Sequence, residues 1–400
     1  MSDLDLVVVG ATGFTGRQAA AYLAAHAPPE LRWALVGRNE ARLLAVRDGL
    51  GPAQAGRECL VVDTQDEAAV EALVARTRVV LTTVGPYAQY GEPLLAACAR
   101  QGRHYVDITG ETPWVARMIE RHHATALESG ARIVPFCGFD SVPSDLGAWM
   151  LAEHQRQRGG AALAEVLALF RARGGFNGGT LASALGMMER GDGRTVARPD
   201  LLNAPGPIGT YPRDQRGAVY VAEASTWSAP FFMEAVNTRV VRRTASLLAG
   251  GPEDPGPAFR YREAMRTGPG LSGNLLAQTL TLSLGAFAVL MSGAWGRGLV
   301  RRLAPAPGEG PDEQTMDRGF FRVDLLARTV DGGSLRGRIE GQGDPGNRCT
   351  VRMLCEAALC LCLDEAALPP RAGILTPATA LAGPYLARLR AAGMRFEVSG

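Results

Sequence analysis

The chain has 400 residues, of which 46% are apolar and 20% are charged, and it carries a net charge of +2 at pH 7. This composition is typical of a globular protein with room for two domains, and the small net charge gives no reason to expect a nucleic-acid partner. The sequence contains no lysine, so all 42 basic residues are arginine. Dehydrogenases with a Tyr-x-x-x-Lys pair, P-loop nucleotide binders and Schiff-base enzymes are therefore excluded.

The cysteine pattern indicates reduced thiols. The seven cysteines are odd in number and form no C-x-x-C pair, so we predict neither a disulfide framework nor a metal site. The N-terminal residues lack the features of a secretory signal, and we therefore expect a cytoplasmic location.

The start of the chain predicts a strand, a glycine-rich turn and a helix. Residues 6–9 are a continuous apolar run, glycines follow at three-residue spacing, and a second apolar strand at 33–36 completes a βαβ pattern. Such a turn lets the backbone approach a pyrophosphate, which the helix amides would face. The spacing differs from the common G-x-G-x-x-G fingerprint, so a structural turn without cofactor is the alternative. The candidate cofactor-binding residues here are Gly10, Ala11, Thr12, Gly13, Phe14 and Thr15.

An arginine stands where an NAD-binding protein carries an acidic residue for the ribose. Arg38 and Asn39 directly follow the second strand. A carboxylate would repel a 2′-phosphate, whereas a guanidinium can bind it through two hydrogen bonds. We therefore predict NADP(H) as the cofactor, with Arg38 and Asn39 among its contacts. A solvated loop cation is the alternative role of Arg38.

Four further strands are predicted in alternation with helices, at 59–62, 79–83, 105–107 and 133–136. With the first two they give a doubly wound parallel sheet of the Rossmann type, whose loops line one crevice at the carboxyl edge. Further cofactor contacts are predicted at Asp63, Thr83, Gly85 and Pro86. The topology places five residues near a nicotinamide ring: Pro86, Tyr87, Glu111, Asp140 and Ser141.

A reductase without lysine needs another donor for the charge that develops on its substrate. Tyr87 and Ser141 are our candidates for this donor, with Asp140 orienting it. For Asp140 and Asp145 the alternative is helix capping, with Ser141 or Ser144 as the N-cap of the next helix.

The βα alternation stops near residue 156, which predicts an α/β domain at 1–150 and a second, α+β domain at 151–400. A strand at 164–170 and a hairpin formed by 320–330 and 335–341 favour a mixed, mainly antiparallel sheet in the second domain. A C-terminal helix at 377–392 is expected to pack back on the first domain.

The most ambiguous segment is the apolar stretch 275–291, which approaches the length of a membrane span. Four polar residues interrupt it: Gln278, Thr279, Thr281 and Ser283. They favour a helix packed inside the second domain. Peripheral contact with a lipid surface, where Arg297, Arg301 and Arg302 would add attraction, is the alternative, and a spanning helix is the least favoured.

Six motifs occur together in this chain. They are G-A-T-G-F-T-G at 10–16, V-G-P-Y at 84–87, H-Y-V-D-I-T-G-E at 104–111, G-F-D-S-V-P-S-D at 138–145, G-D-P-G at 343–346 and L-T-P-A-T-A at 375–380. In this combination the chain resembles the saccharopine dehydrogenase-like oxidoreductases over nearly its whole length, most closely their trans-acting enoyl reductase branch. The resemblance implies an N-terminal domain that binds NADP(H) and a C-terminal α/β domain that covers it. Asn347 stands where this family would have an aromatic residue, so the shape of the substrate pocket should differ there.

These observations predict an NADPH-dependent reductase of a small hydrophobic substrate, such as an acyl or polyketide-like chain. One alternative is a dehydrogenase acting at a carbon–nitrogen bond of an amino-acid adduct, which would need an arginine-rich pocket for carboxylates. The other is a non-catalytic NADP(H)-binding protein at a lipid surface. The oligomeric state stays open.

Overall fold

A parallel sheet of seven strands forms the nucleotide-binding half of the molecule. The computed structural model describes residues 3–175, 178–204, 211–256, 259–303 and 309–399. The strands of this sheet are β1 (Leu4–Val9), β2 (Trp33–Gly37), β3 (Glu58–Val61), β4 (Thr77–Thr82), β5 (His104–Val106), β6 (Arg132–Val134) and β13 (Gly373–Ile374). They lie in the order β13-β6-β5-β4-β1-β2-β3. Strands β2 and β3 are therefore added on one side of β1 and strands β4 to β6 on the other, so the order of the strands reverses between β1 and β4. The predicted doubly wound sheet is confirmed.

Helices cover both faces of this sheet, which explains its uninterrupted apolar strands. They are α1 (Phe14–His26), α2 (Glu40–Gly49), α3 (Glu67–Arg76), α4 (Tyr87–Tyr90), α5 (Glu92–Gln101), α6 (Thr112–Ser129) and α7 (Val142–Gln157). Successive residues of a strand point to opposite faces, and both Val7 and Val8 are fully buried.

The second sheet also has seven strands and is mainly antiparallel. Its strands are β7 (Leu163–Arg173), β8 (Val219–Val221), β9 (Thr226–Ala229), β10 (Arg260–Gly268), β11 (Phe320–Thr329), β12 (Ser334–Gln342) and β14 (Arg395–Ser399). The order is β14-β12-β11-β7-β10-β9-β8, and only the β7–β10 pair is parallel among these described strands. The predicted hairpin is present as β11 and β12, which pair from Phe320 with Gln342 to Arg328 with Ser334.

The remaining helices are α8 (Gly178–Glu189), α9 (Gly193–Val196), α10 (Glu234–Leu248), α11 (Gly270–Ser292), α12 (Ala294–Leu303), α13 (Glu313–Asp317), α14 (Thr350–Leu363) and α15 (Pro377–Ala391). The C-terminal part of the chain returns to the first sheet. Helix α14 packs against α1 and β4, α15 packs against α7 and α14, and β13 extends the sheet beside β6. Of this return, only the packing of the last helix was proposed from the sequence.

Helix α11 does not pack inside the second domain, and our preference for an internal helix at 275–291 is wrong. The helix is apolar and long enough to cross a membrane, yet only 11% of its most apolar window is buried. Gly273, Ala277 and Met291 are its buried residues, and Leu275 and Leu282 are exposed. The polar residues lowered the hydropathy of the segment, but they did not determine which side of the helix contacts the protein.

Candidate functional site

Two of the three glycines after β1 are required by the turn itself. Gly10 has a φ of +85°, and a Cβ there would lie 2.8 Å from Cγ2 of Val84. A Cβ on Gly16 would lie 2.0 Å from the carbonyl oxygen of Gly10. Only glycine permits both the backbone conformation and this close approach of helix to turn.

Gly13 has no comparable structural reason to be glycine. It is the N-cap of α1 with a φ of −75°, and among the described residues a Cβ there would meet only the Gly10 carbonyl oxygen, at 3.3 Å. No side chain in the described part of the chain caps this end of α1. The missing side chain therefore leaves the first-turn amides open to a ligand, as binding of a pyrophosphate requires.

The neighbouring candidates of the turn occupy different environments. Ala11 is buried, whereas Thr12, Phe14 and Thr15 are half-buried. Gly310 lies against the Phe14 ring, since a Cβ there would come within 2.4 Å of it. The Phe14 side chain thus contacts the segment before α13, and its backbone is what the turn offers to a cofactor.

Arg38 is exposed beyond the carboxyl end of β2, and it has no ion-pair partner in the part of the chain that the structure describes. The Asn39 side chain instead caps α2 by accepting a hydrogen bond from the Arg42 amide at 2.9 Å. Asp63 follows β3 and accepts from the Gln65 amide at 3.0 Å. The guanidinium is therefore free to bind a 2′-phosphate, while the other two side chains shape their loops.

The crevice opens between the ends of β1 and β4, where the strand order reverses. Thr83 Oγ1 lies 3.4 Å from the carbonyl oxygens of both Val9 and Gly10 and joins the two loops. Gly85 and Pro86 follow, linked by a cis peptide bond, and Pro86 is the N-cap of α4. Ligands of open parallel sheets bind at such a reversal.

The Tyr87 hydroxyl lies inside the protein. It donates to the carbonyl oxygen of Thr82 at 3.2 Å and accepts from the Ile108 amide at 3.4 Å. Burial, together with the Asp107 carboxyl, raises the Tyr87 pKa well above its usual value. This geometry makes Tyr87 a link between the loops after β4 and β5, and its catalytic role stays a prediction.

Glu111 is the most heavily hydrogen-bonded carboxylate of the crevice. It is fully buried and accepts from the backbone amides of Tyr87 at 2.8 Å and Ala88 at 3.2 Å, at the start of α4. From the α8 side, Ser183 Oγ donates to it at 2.9 Å and Arg190 at 3.1 Å. Topology alone placed Glu111 near the nicotinamide site, but its partners are too far away in sequence to be foreseen.

Ser141 begins a buried polar chain rather than a helix cap. Its side chain makes no capping hydrogen bond, and its Oγ donates to Asn237 Oδ1 at 3.4 Å. Asn237 Nδ2 donates to Glu263 at 2.9 Å, and this carboxyl also accepts from the Tyr261 hydroxyl at 2.7 Å and from Ser144. Burial raises the Glu263 pKa to about 7. The capping alternative therefore fails for both serines.

Asp140 and Asp145 differ in their surroundings. The Asp140 carboxyl is half-buried without a hydrogen-bond partner among the described residues, and burial raises its pKa to about 6. Asp145 accepts from the backbone amide of Ala378 at 2.8 Å and from Thr244, so it caps α15 rather than α7. Asp140 is thus free for a ligand, and Asp145 is structural.

Aromatic side chains form an apolar wall next to these loops. The Phe139 ring lies 6.1 Å from Phe170 and 4.9 Å from Phe321, and Phe170 stacks on Phe231 at 4.4 Å. Nearby, the Met233 methyl is 3.8 Å from a Cβ position on Gly110. The four rings are 0–4% exposed, so a buried apolar core joins the second sheet to the loops after β5 and β6.

The G-D-P-G motif fastens the second sheet to this wall. Asp344 is fully buried and accepts from the Gly175 amide at 2.5 Å and from Asn347 Nδ2 at 2.7 Å. Thr350 Oγ1 accepts from the Phe139 amide at 3.1 Å and donates to the Pro345 carbonyl at 2.9 Å. The Asn347 amide therefore closes the loop around Asp344. This hydrogen bond explains why a buried amide, and not an aromatic ring, stands at position 347.

The doubly wound sheet, the open amides at Gly13 and the free guanidinium at Arg38 define an NADP-dependent oxidoreductase. The family model of the saccharopine dehydrogenase NADP binding domain matches residues 6–134. The chain belongs to the saccharopine dehydrogenase-like oxidoreductases, in the trans-acting enoyl reductase branch.

Relatives align with nearly the whole chain. A putative trans-acting enoyl reductase of Mycobacterium tuberculosis is 38% identical over 417 residues, covering 99% of this chain and 98% of its own. A trans-acting enoyl reductase of Mycobacterium ulcerans is 34% identical over 410 residues, covering 98% and 97%.

Two solved structures share the fold. Apo saccharopine dehydrogenase (L-Glu forming) from Saccharomyces cerevisiae has a TM-score of 0.55 at 12% identity and covers 99% of this chain and 100% of its own. Homospermidine synthase from Legionella pneumophila, in complex with NAD, has a TM-score of 0.54 at 10% identity and covers 99% and 91%.

Proposed function

We propose that the protein reduces the carbon–carbon double bond of an enoyl group on a hydrophobic acyl chain, with NADPH as the reductant. The observation that carries this proposal is the alignment of nearly the whole chain with relatives named trans-acting enoyl reductases. The rings of Phe139, Phe170 and Phe231 are 0–4% exposed, so they form a packed apolar core beside the loops of the proposed nicotinamide position. Apolar surroundings of this kind favour an acyl chain over a charged amino-acid adduct.

The buried arginines argue against the carbon–nitrogen alternative. Arg239 pairs with Asp214 at 2.8 Å, Arg242 donates to the Pro212 carbonyl at 3.1 Å, and Arg243 donates to the Leu202 carbonyl. These side chains of α10 bind to residues in 197–202 and 212–214 and are not free to bind substrate carboxylates. A pocket for an adduct with two or more carboxylates would need such free guanidinium groups.

In the proposed reaction, bound NADPH supplies a hydride to the carbon β to the thioester carbonyl. The carbon α to it then needs a proton. The Asp140 carboxyl is the group we assign to hold that proton, because it has no hydrogen-bond partner among the residues that the structure describes and its pKa of about 6 keeps part of it protonated near neutral pH. Ser141 is assigned a positioning role, since its hydroxyl is bonded to Asn237.

The test is loss of NADPH absorbance with enoyl thioesters of increasing chain length. We expect oxidation to accelerate as the chain lengthens, because a longer acyl chain transfers more apolar surface from water to the protein. The matched comparison is an amino acid supplied with a 2-oxo acid. Oxidation with that pair alone, or equal rates for short and long thioesters, would contradict the proposal.

A further inference from the structure

Helices α11 and α12, residues 270–303, form an exposed helical arm with an apolar stripe on its outer side. Leu271, Leu275, Leu282 and Val289 are 71–89% exposed. They are four, seven and seven positions apart, so they lie along one side of α11. The buried residues Gly273, Ala277 and Met291 lie on the opposite side.

The inner side of α11 is occupied by the protein. The helix packs against β9 and β10, and a Cβ on Gly273 would lie 2.0 Å from the Gly268 carbonyl oxygen. A helix fixed in this way cannot cross a bilayer unless it leaves the second sheet. Its outer stripe can lie flat at an interface, with the helix axis parallel to it.

The far end of the arm carries the residues that an anionic lipid interface favours. Trp295 is 77% exposed, and segment 270–303 contains three arginines and no acidic residue. Arg297 donates to the carbonyl oxygens of Met291 and Ser292, both at 3.0 Å, and so fixes the turn between the helices. Arg301 pairs with Glu189, whereas Arg302 is exposed without an ion-pair partner in the described parts of the chain. The arm therefore joins an apolar stripe to net positive charge.

We propose that the helical arm docks the protein on an anionic lipid surface, with the stripe of α11 inserted among the acyl chains and the arginines of α12 at the headgroups. The arm also contacts α8, which reaches the crevice through Ser183 and Glu111. Docking would hold the crevice close to substrates that reside in a membrane. This inference is independent of which bond the enzyme reduces.

Vesicle flotation of the full chain tests the proposal. We expect wild-type protein to float with phosphatidylcholine vesicles that contain phosphatidylglycerol, and less with phosphatidylcholine alone or at high salt. The double variant Leu275→Gln, Leu282→Gln should bind vesicles at least about tenfold more weakly than wild type, because two leucines no longer insert. Val330→Gln, at a hairpin turn with 57% exposure, is the matched control and should float like wild type.

Both substituted leucines are exposed, so we expect each variant to keep its fold. NADPH titration and circular dichroism of each variant check this. Absence of flotation by folded wild-type protein would overturn the proposal. The proposal would also be overturned if sedimentation showed an oligomer for wild type and a monomer for the double variant. A second copy of the chain would then cover the stripe.

Discussion

The guanidinium of Arg190 lies 3.1 Å from the carboxylate of Glu111. This ion pair links the end of α8 to the loop after β5, across the crevice. Glu111 is fully buried, whereas Arg190 keeps contact with solvent. Because the same carboxylate accepts hydrogen bonds from the amides of Tyr87 and Ala88, one side chain connects the start of α4, the loop after β5 and the end of α8.

Replacing this carboxylate should cost more than breaking an exposed ion pair. Glu111→Gln puts an amide nitrogen where donors converge, and we expect the free energy of unfolding to fall by about 2–4 kcal/mol. Glu189→Gln, which breaks the exposed pair with Arg301, is the control and should cost at most about 1 kcal/mol. Denaturant unfolding measures both. Equal effects would show that Glu111 is not the junction we describe.

Cofactor preference should depend on Arg38. Arg38→Ala should weaken NADPH binding by about tenfold or more and leave NADH binding unchanged, because a charged hydrogen bond to the 2′-phosphate is lost. Arg42→Ala removes an exposed arginine four positions along and should change neither affinity. Fluorescence titration with both cofactors gives the ratio. If the ratio is the same in wild type and Arg38→Ala, the phosphate is bound elsewhere.

The glycines of the first turn should separate into two classes. Gly13→Val should abolish NADPH binding in a folded protein, because its side chain would block the amides at the start of α1. Gly16→Ala should instead destabilise the fold, since its Cβ would clash with the Gly10 carbonyl. Thermal unfolding and NADPH titration distinguish these effects. If folded Gly13→Val binds NADPH as tightly as wild type does, the glycine turn is not part of the cofactor site.

Local sequence patterns predicted the parts of the fold that local forces determine. The apolar strands, the glycine turn and the β11–β12 hairpin are each specified within a few consecutive residues, and all were predicted correctly. Strand β13 has two residues and no pattern of its own, so it depends on its neighbour β6. It could not be predicted from the chain alone.

The outer surface of α11 and the partners of Glu111 depend on long-range packing. An uncharged apolar helix gives the same sequence signal in a core and on a surface, so the side that meets β9 was not encoded locally. The partners of Glu111 on the α8 side are 72 and 79 residues away along the chain. For Tyr87, sequence indicated a position in the crevice but not that Thr82 and Ile108 enclose its hydroxyl.

The protonation of Asp140 should make the stability of the protein depend on pH. The pKa of Asp140 is raised from 3.8 to about 6 by burial, so the folded state binds the proton more tightly than the unfolded chain. The stability contributed by this proton is complete below about pH 4 and is lost as the pH rises through about 6. Asp140→Asn removes the titrating group. The free energy of unfolding of the variant should therefore increase relative to that of wild type as the pH rises from 4 to 7.

The pH dependence of kcat should be determined by the same proton. If Asp140 donates it, kcat should fall as the pH rises through about 6, and Asp140→Asn should lower kcat about a hundredfold or more and abolish that step. Burial raises the pKa values of Asp107, Asp145 and Glu263 to about 7 and that of Glu234 to about 8, and all four groups remain in the variant. A pH step that survives in Asp140→Asn therefore belongs to one of these other carboxyls. A wild-type kcat that rises through pH 6 would mean that the carboxylate, and not the acid, is the active form.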